Sequence, residues 1–231
     1  MDKGLELKNL SVAFGKHHVL DGLDVRVQPG RIYGLLGLNG SGKSTMMLAI
    51  LGLVSCQGEI TFDGQPVDLK DVGAIINGPS FYPHLSARQN LQIHCYLTGT
   101  DTREIERVLA MVGLEVGAAR AGTFSTGMKV RLGLAMALLT DPSLLLLDEP
   151  QNGLDPAGIN QLRVLIQRLA KEGKTIVISS HQLGEVARMA DDVGVLSKGK
   201  MQYQGTIEDL ASEGETLEDA FLRLTLSEGA Q

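Results

Sequence analysis

The 231 residues, 43% hydrophobic and 21% charged, are enough for one large α/β domain with a substantial core and exclude a disordered or fibrous chain. With 27 acidic against 21 basic residues the formal charge is −6, and no Lys/Arg-rich block is present, so nucleic acid is not an expected partner. No apolar run reaches the roughly 18–20 residues of a membrane-spanning helix, and residues 1–8 lack the apolar core of a secretory signal, which places the protein by expectation in the cytosol.

Apolar and polar residues partly alternate over 5–14 and 19–27 around Gly15-Lys16-His17-His18, predicting an antiparallel β ribbon. Residues 32–36 form a compact apolar run, a buried strand, that feeds a glycine-rich turn and a helix over 43–51. Strands are expected at 59–62 and 72–76, after which Pro79 and Pro83 break the chain and helical character begins at Ser86. Ile105, Val108, Leu109 and Val112 fall at i, i+3, i+4 and i+7 on one helix face, within a helical block at about 84–140. Residues 144–147 read as a buried strand ending in Asp148; Leu162, Leu165, Ile166 and Leu169 renew the helical stripe. Strands at 176–178 and 193–196, with a helix near 183–190 between them, complete the pattern. The acidic stretch 208–218 reads as a solvated C-terminal helix face. Such alternation implies a mainly parallel sheet with helices on its faces. Cys56 and Cys95 have no CxxC spacing or histidine cluster around them and read as reduced structural thiols.

Gly37-Leu38-Asn39-Gly40-Ser41-Gly42-Lys43-Ser44-Thr45 fits G-x-x-x-x-G-K-[ST], between a buried strand and a helix. Glycines let successive backbone N–H groups turn inward on phosphate oxygens, and the helix presents its positive end to the same anion. Lys43 adds a charge for the β- and γ-phosphates, and the Ser44 hydroxyl is a hard ligand suited to Mg²⁺. The second half of a nucleotide site is Asp148-Glu149 at the end of the strand at 144–147. Asp148 is expected to face the Mg²⁺ shell, directly or through water. Glu149 is expected to orient or deprotonate the water that attacks the γ-phosphate, provided the backbone turns there.

With these motifs the sequence resembles the ABC ATPase family, over nearly its whole length and in the right order. Phe124-Ser125-Thr126-Gly127-Met128-Lys129 is similar to the family's Leu-Ser-Gly-Gly-Gln segment, and no other phosphate-loop family carries it. Ser125 and Gly127 at a helix start make a second anion site. The resemblance implies that this chain stacks head to tail with a second copy of itself or with a homologous ATPase subunit, with ATP between them. Phe14 resembles the aromatic that stacks on adenine, the alternative being an ordinary strand aromatic. Asn152-Gly153-Leu154-Asp155 resembles the loop linking the two sites, and His181 the switch histidine at the γ-phosphate. His17, His18, His84 and His94 match nothing catalytic.

Two positions depart from the family pattern. Asn77 stands where a glutamine contacts Mg²⁺ and the lytic water, and Thr126 and Met128 replace Gly and Gln. The stretch from Ile76 to Leu85 resembles ABC ATPases that protect bacteria from antimicrobial peptides.

The implied fold is an α/β P-loop core, with a mixed, mainly parallel sheet and an N-terminal antiparallel β region. The core spans 1–78 and 141–231, and a helical subdomain at 79–140 is inserted in it. The implied activity is ATP hydrolysis by a dimer that drives a separate transmembrane permease, peripheral on the inner face of the cell membrane, for export of a peptide antibiotic or other amphiphile. A soluble ABC ATPase of cluster-assembly or remodelling type is the alternative.

Overall fold

The computed structural model describes residues 4–212 and 214–226. The N-terminal alternation becomes a hairpin of β1 (Leu5–Phe14) and β2 (His17–Val27), whose turn is shorter than the sequence suggests because His17 already pairs with Phe14. Leu5 and Leu7, then Leu10 and Val12, are buried. The inward parity changes at a register shift between Leu7 and Leu10, where Asn9 has φ 49, the mark of a bulge that re-aims the strand. With β4 (Gln57–Phe62) and β5 (Gln65–Pro66), reached past the strand β3 (Ile32–Leu36), the hairpin forms a four-stranded antiparallel sheet ordered β2-β1-β4-β5.

The second sheet holds β3 with β6 (Val72–Ile75), β7 (Leu144–Asp148), β8 (Thr175–Ser180), β9 (Asp192–Ser197) and β10 (Lys200–Gly205), in the order β10-β9-β3-β8-β7-β6. All its pairings are parallel except β10 against β9. Every residue of β3, β7 and β8 is buried, which is why these strands read as continuous apolar runs instead of alternating ones. Leu145 and Leu147 enter one cluster, Leu144 and Leu146 the other, so the two faces of β7 serve two cores.

One core joins the sheet to the helices α2 (Ala87–Thr98), α3 (Glu104–Val112), α4 (Thr126–Ala137) and α5 (Pro156–Lys171). A second joins it to α1 (Lys43–Ile50) and the N-terminal sheet, and a third gathers Leu36, Val186, Val193 and Phe221. Ser86 and Gln89 form a capping box that starts α2 directly after the proline-rich stretch. Gly133, midway along α4, lies against Pro79: a Cβ there would come within 2.6 Å of the proline Cβ. Only glycine permits this approach.

The helix near 183–190 is the shorter α6 (Leu183–Ala187), and the last helix is α7 (Leu217–Leu226). Of the acidic stretch 208–218 only Leu217 and Glu218 lie in α7; the described residues before them, 208–212 and 214–216, form turns and loop instead of the expected helix face. Thr216 Oγ1 accepts from Asp219 N at 3.1 Å and starts α7 late. Glu215 before it is bound by Arg223 at 2.9 Å, and that guanidinium, with the Ser212 N–H, brings its carboxyl down to about 2. Among the described residues no helix is long and apolar enough to cross a membrane.

Candidate nucleotide site

The parallel sheet delivers three of its strand ends to one edge. From β3 the chain enters the glycine-rich turn, with Leu38, Asn39 and Gly40 exposed and Ser41 and Lys43 buried. Gly42 has φ 112, and a Cβ on it would meet Leu20 of β2 at 2.6 Å, so this position excludes side chains twice over. The same contact brings the hairpin alongside the turn, with Phe14, 54% exposed, at the hairpin's end. Ser44 and Thr45 open α1.

Lys43 Nζ donates to Gly37 O at 2.7 Å and to Leu38 O at 3.3 Å, and stands 3.4 Å from Glu149 Oε1. Ser44 Oγ donates to Asp148 Oδ2 at 2.7 Å. Asp148 Oδ1 accepts from Ser179 Oγ at 2.5 Å, and the same hydroxyl accepts from Glu149 N at 2.9 Å. Glu149 has φ 46: the backbone turns there into the left-handed region, and the second carboxylate leaves the strand's alternation to join the first. Its Oε2 accepts from Asn152 Nδ2 at 2.6 Å and meets His181 Nδ1 at 2.9 Å. Burial pushes the Glu149 carboxyl up, but the Asn152 amide, the Lys43 charge and His181 together outweigh it and hold the group below the ordinary glutamate range.

Lys43, Ser44, Asp148, Glu149 and His181 therefore meet at the ends of β3, β7 and β8. Ser44, Asp148 and Glu149 share a cleft of 620 Å³ with Asn77, Thr126, Lys129 and Asn152. Ser41 Oγ is buried beneath the turn without a hydrogen-bond partner, a polar atom that suits an anion bound above it. Among the described residues no group of three or more His, Cys, Asp or Glu is placed to hold a metal ion by itself, so a cation beside Ser44 and Asp148 would take its other ligands from phosphate oxygens and water. That donor set fits Mg²⁺.

The family model for ABC transporters matches residues 20–152, more than half of the chain. The chain belongs to that family. This ABC ATPase is 41% identical over 211 residues to the lantibiotic transport ATP-binding protein SrtF of Streptococcus pyogenes, covering 87% of this chain and 92% of that one. It is 42% identical over 207 residues to the bacitracin transport ATP-binding protein BcrA of Bacillus licheniformis, covering 85% and 68%. A solved ATP-binding subunit of an ABC transporter superposes with a TM-score of 0.84 at 29% identity, over 95% of this chain and 98% of that one. The fold is thus the P-loop ABC fold, and the protein is an ATP-binding, ATP-hydrolysing subunit that works with a transmembrane component of a transporter.

Not every residue singled out in the sequence of this ABC ATPase reaches the cleft. Ser125 caps α4, its hydroxyl accepting from Met128 N at 3.3 Å, and Asp155 caps α5, accepting from Gly158 N at 2.8 Å. With Gly127 they line a separate groove of 720 Å³ between α3, α4 and α5. Asn77 and Gly78 have φ 56 and 93, consecutive left-handed residues. Asparagine tolerates that region better than glutamine, which gives the departure from the family pattern a backbone reason. Sequence reading missed Ser179, which joins both carboxylate residues, and the contact of Asn152 with Glu149. The signal for Ser179 is a hydroxyl pair, Ser179-Ser180, that follows the apolar run Ile176-Val177-Ile178 at the end of a buried strand.

Proposed function

We propose that this ABC ATPase binds MgATP at the Lys43–Asp148–Glu149 cleft and hydrolyses it as a head-to-tail dimer, driving a permease that exports a peptide antibiotic or a similar amphiphile. The observation that carries the reading is the placement of the Glu149 carboxylate between Lys43 and His181, next to the hydrogen-bonded Ser44–Asp148 pair. Backbone N–H groups of residues 37–45 and the Lys43 ammonium hold the triphosphate, and Phe14 stacks on adenine. Mg²⁺, when bound by Ser44, Asp148 and in part Asn77, neutralises phosphate charge. Glu149, kept ionised by its neighbours, accepts a proton from the attacking water, and His181 keeps the carboxylate aimed at the γ-phosphate.

Ser125 and Gly127 line a different groove from the one beside Lys43, which supports their acting on the ATP of a second copy, with Asp155 and its loop at the joint. The ATP-binding core would comprise 1–78 and 141–231, with a helical part at 79–140 meeting the permease on the inner face of the cell membrane. Similarity to lantibiotic and bacitracin transport proteins supports the cargo class.

The test is Glu149→Gln with ATP and Mg²⁺. We expect binding to persist, hydrolysis to slow by about 10² or more, and a dimer to accumulate by light scattering. A strict monomer, or turnover at the wild-type rate, refutes the shared site. A polytopic protein recovered at stoichiometric yield after mild detergent extraction supports transport; a purely soluble complex refutes it.

A further inference from the structure

The segment after the two carboxylates contains a buried amide to which the proposed chemistry gives no role. Gln151 is 2% exposed. Its Nε2 donates to Ser180 Oγ at 2.6 Å, while its Oε1 has no hydrogen-bond partner. A buried glutamine with one end unpaired is less stable than an apolar side chain of its size, so packing does not explain the residue.

Its partner does. Ser180 Oγ also accepts from Gln182 N at 2.9 Å and donates to Gln182 O at 3.4 Å. One hydroxyl thereby closes a turn over 180–182, with His181 at the apex, and His181 Nδ1 lies 2.9 Å from Glu149 Oε2. On the main chain, Gln151 O accepts from Leu154 N at 3.1 Å, and Glu149 O from Asn152 N at 3.1 Å, so the turns that begin the 152–155 loop close on Gln151 and Glu149. The backbone of Gln151 shapes that loop, and its side chain shapes the histidine turn.

We infer that Gln151 is a positioning residue for ATP hydrolysis: through the Ser180 hydroxyl it holds His181 against Glu149, and through its carbonyl it ties that pair to the 152–155 loop. The inference rests on the proposed roles of Glu149, His181 and the loop. It adds a route by which a second subunit acts on the reaction. A subunit pressing on the loop moves Gln151 Nε2 relative to Ser180 Oγ, and the imidazole follows.

The experiment compares Gln151→Leu, Ser180→Ala and the double variant, with ATP turnover, KM and melting temperature measured on the same preparations. Each single variant is expected to lower kcat about tenfold, the weight of one buried hydrogen bond expressed only in the transition state. KM for ATP should change by less than about twofold. The melting temperature of Gln151→Leu should stay within about 2 °C of wild type or rise, because an unpaired carbonyl has been removed. The double variant should be no slower than the slower single one, since both break the same link. Wild-type kcat in Gln151→Leu, additive losses in the double variant, or a rate loss matched by loss of folded protein overturns the inference. If Gln151→Leu does not fold, Ser180→Ala decides by the same kcat and KM comparison. Glu149→Gln separates the layers: if it hydrolyses ATP at the wild-type rate, the proposed site roles fall. If it is inactive while Gln151→Leu turns over normally, only the positioning role falls.

Discussion

Ser179→Ala removes the one hydroxyl that binds two consecutive residues at the end of β7. The serine is wholly buried, its Oγ donating to Asp148 Oδ1 at 2.5 Å and accepting from Glu149 N at 2.9 Å. Alanine leaves a carboxylate oxygen without that donor and a main-chain N–H without its acceptor. The bond to the carboxylate is worth roughly 1.5–3 kcal/mol and the neutral one about 1 kcal/mol. Because Asp148 keeps Ser44 on its other oxygen, about 3 kcal/mol is the expected net loss. For a chain of 231 residues that lowers the melting midpoint by roughly 6–12 °C. Turnover should also fall at temperatures where the variant is fully folded, because the Glu149 backbone, at φ 46, loses a contact that holds it in a region costing about 1–2 kcal/mol for a side-chain-bearing residue. Scanning calorimetry and ATPase assays well below both midpoints measure the two effects. A midpoint within about 2 °C of wild type, with full turnover, refutes this account of the strand end.

Lys43→Ala should weaken ATP binding by roughly 10- to 100-fold, the loss of a charge-assisted contact, in titrations with a fluorescent nucleotide; unchanged affinity would place the phosphates elsewhere. Asn152→Leu removes the amide that helps hold the Glu149 carboxyl low, so its pKa rises and the acid limb of the kcat profile moves to higher pH. The contribution of that carboxylate to stability, present above the ordinary glutamate value and lost as pH falls through the lowered one, should likewise disappear earlier on acidification. A superimposable pH profile would show that Glu149 does not set that limb. Gly127→Asp places a negative charge at the helix tip proposed to grip the partner's ATP, where it should abolish ATP-dependent dimerisation and turnover while leaving monomeric nucleotide binding intact. Normal turnover in that variant would favour a phosphate-loop enzyme with a single-chain site.

Much of this was legible because its physics is local. The glycine turn between β3 and α1, the buried run of β7 and the Ser125 cap of α4 each carry their reason in a few adjacent residues. What stayed hidden depended on pairing across distance. β10 reads Lys-Met-Gln-Tyr-Gln-Gly and pairs on one side only, so it lacks an apolar run. Its one local signal is Lys198-Gly199, a two-residue turn with φ 47 and 77. The acidic stretch was misread because charge density says nothing about where a cap begins a helix, and Thr216 sets that point for α7. The turn of Glu149 out of its strand was visible only as a requirement. Ser179, 30 residues away, supplies the contact at which it occurs.

The contact of Gly133 with Pro79 makes α4 a lever. Gly133 lies eight residues from Ser125, or about 12 Å along the helix axis. A tilt of about 5° at that fulcrum sweeps the serine end through about 1 Å, enough to make or break a hydrogen bond. A shift of the proline two residues beyond Asn77 would therefore move the pivot on which the serine end of the helix is aimed.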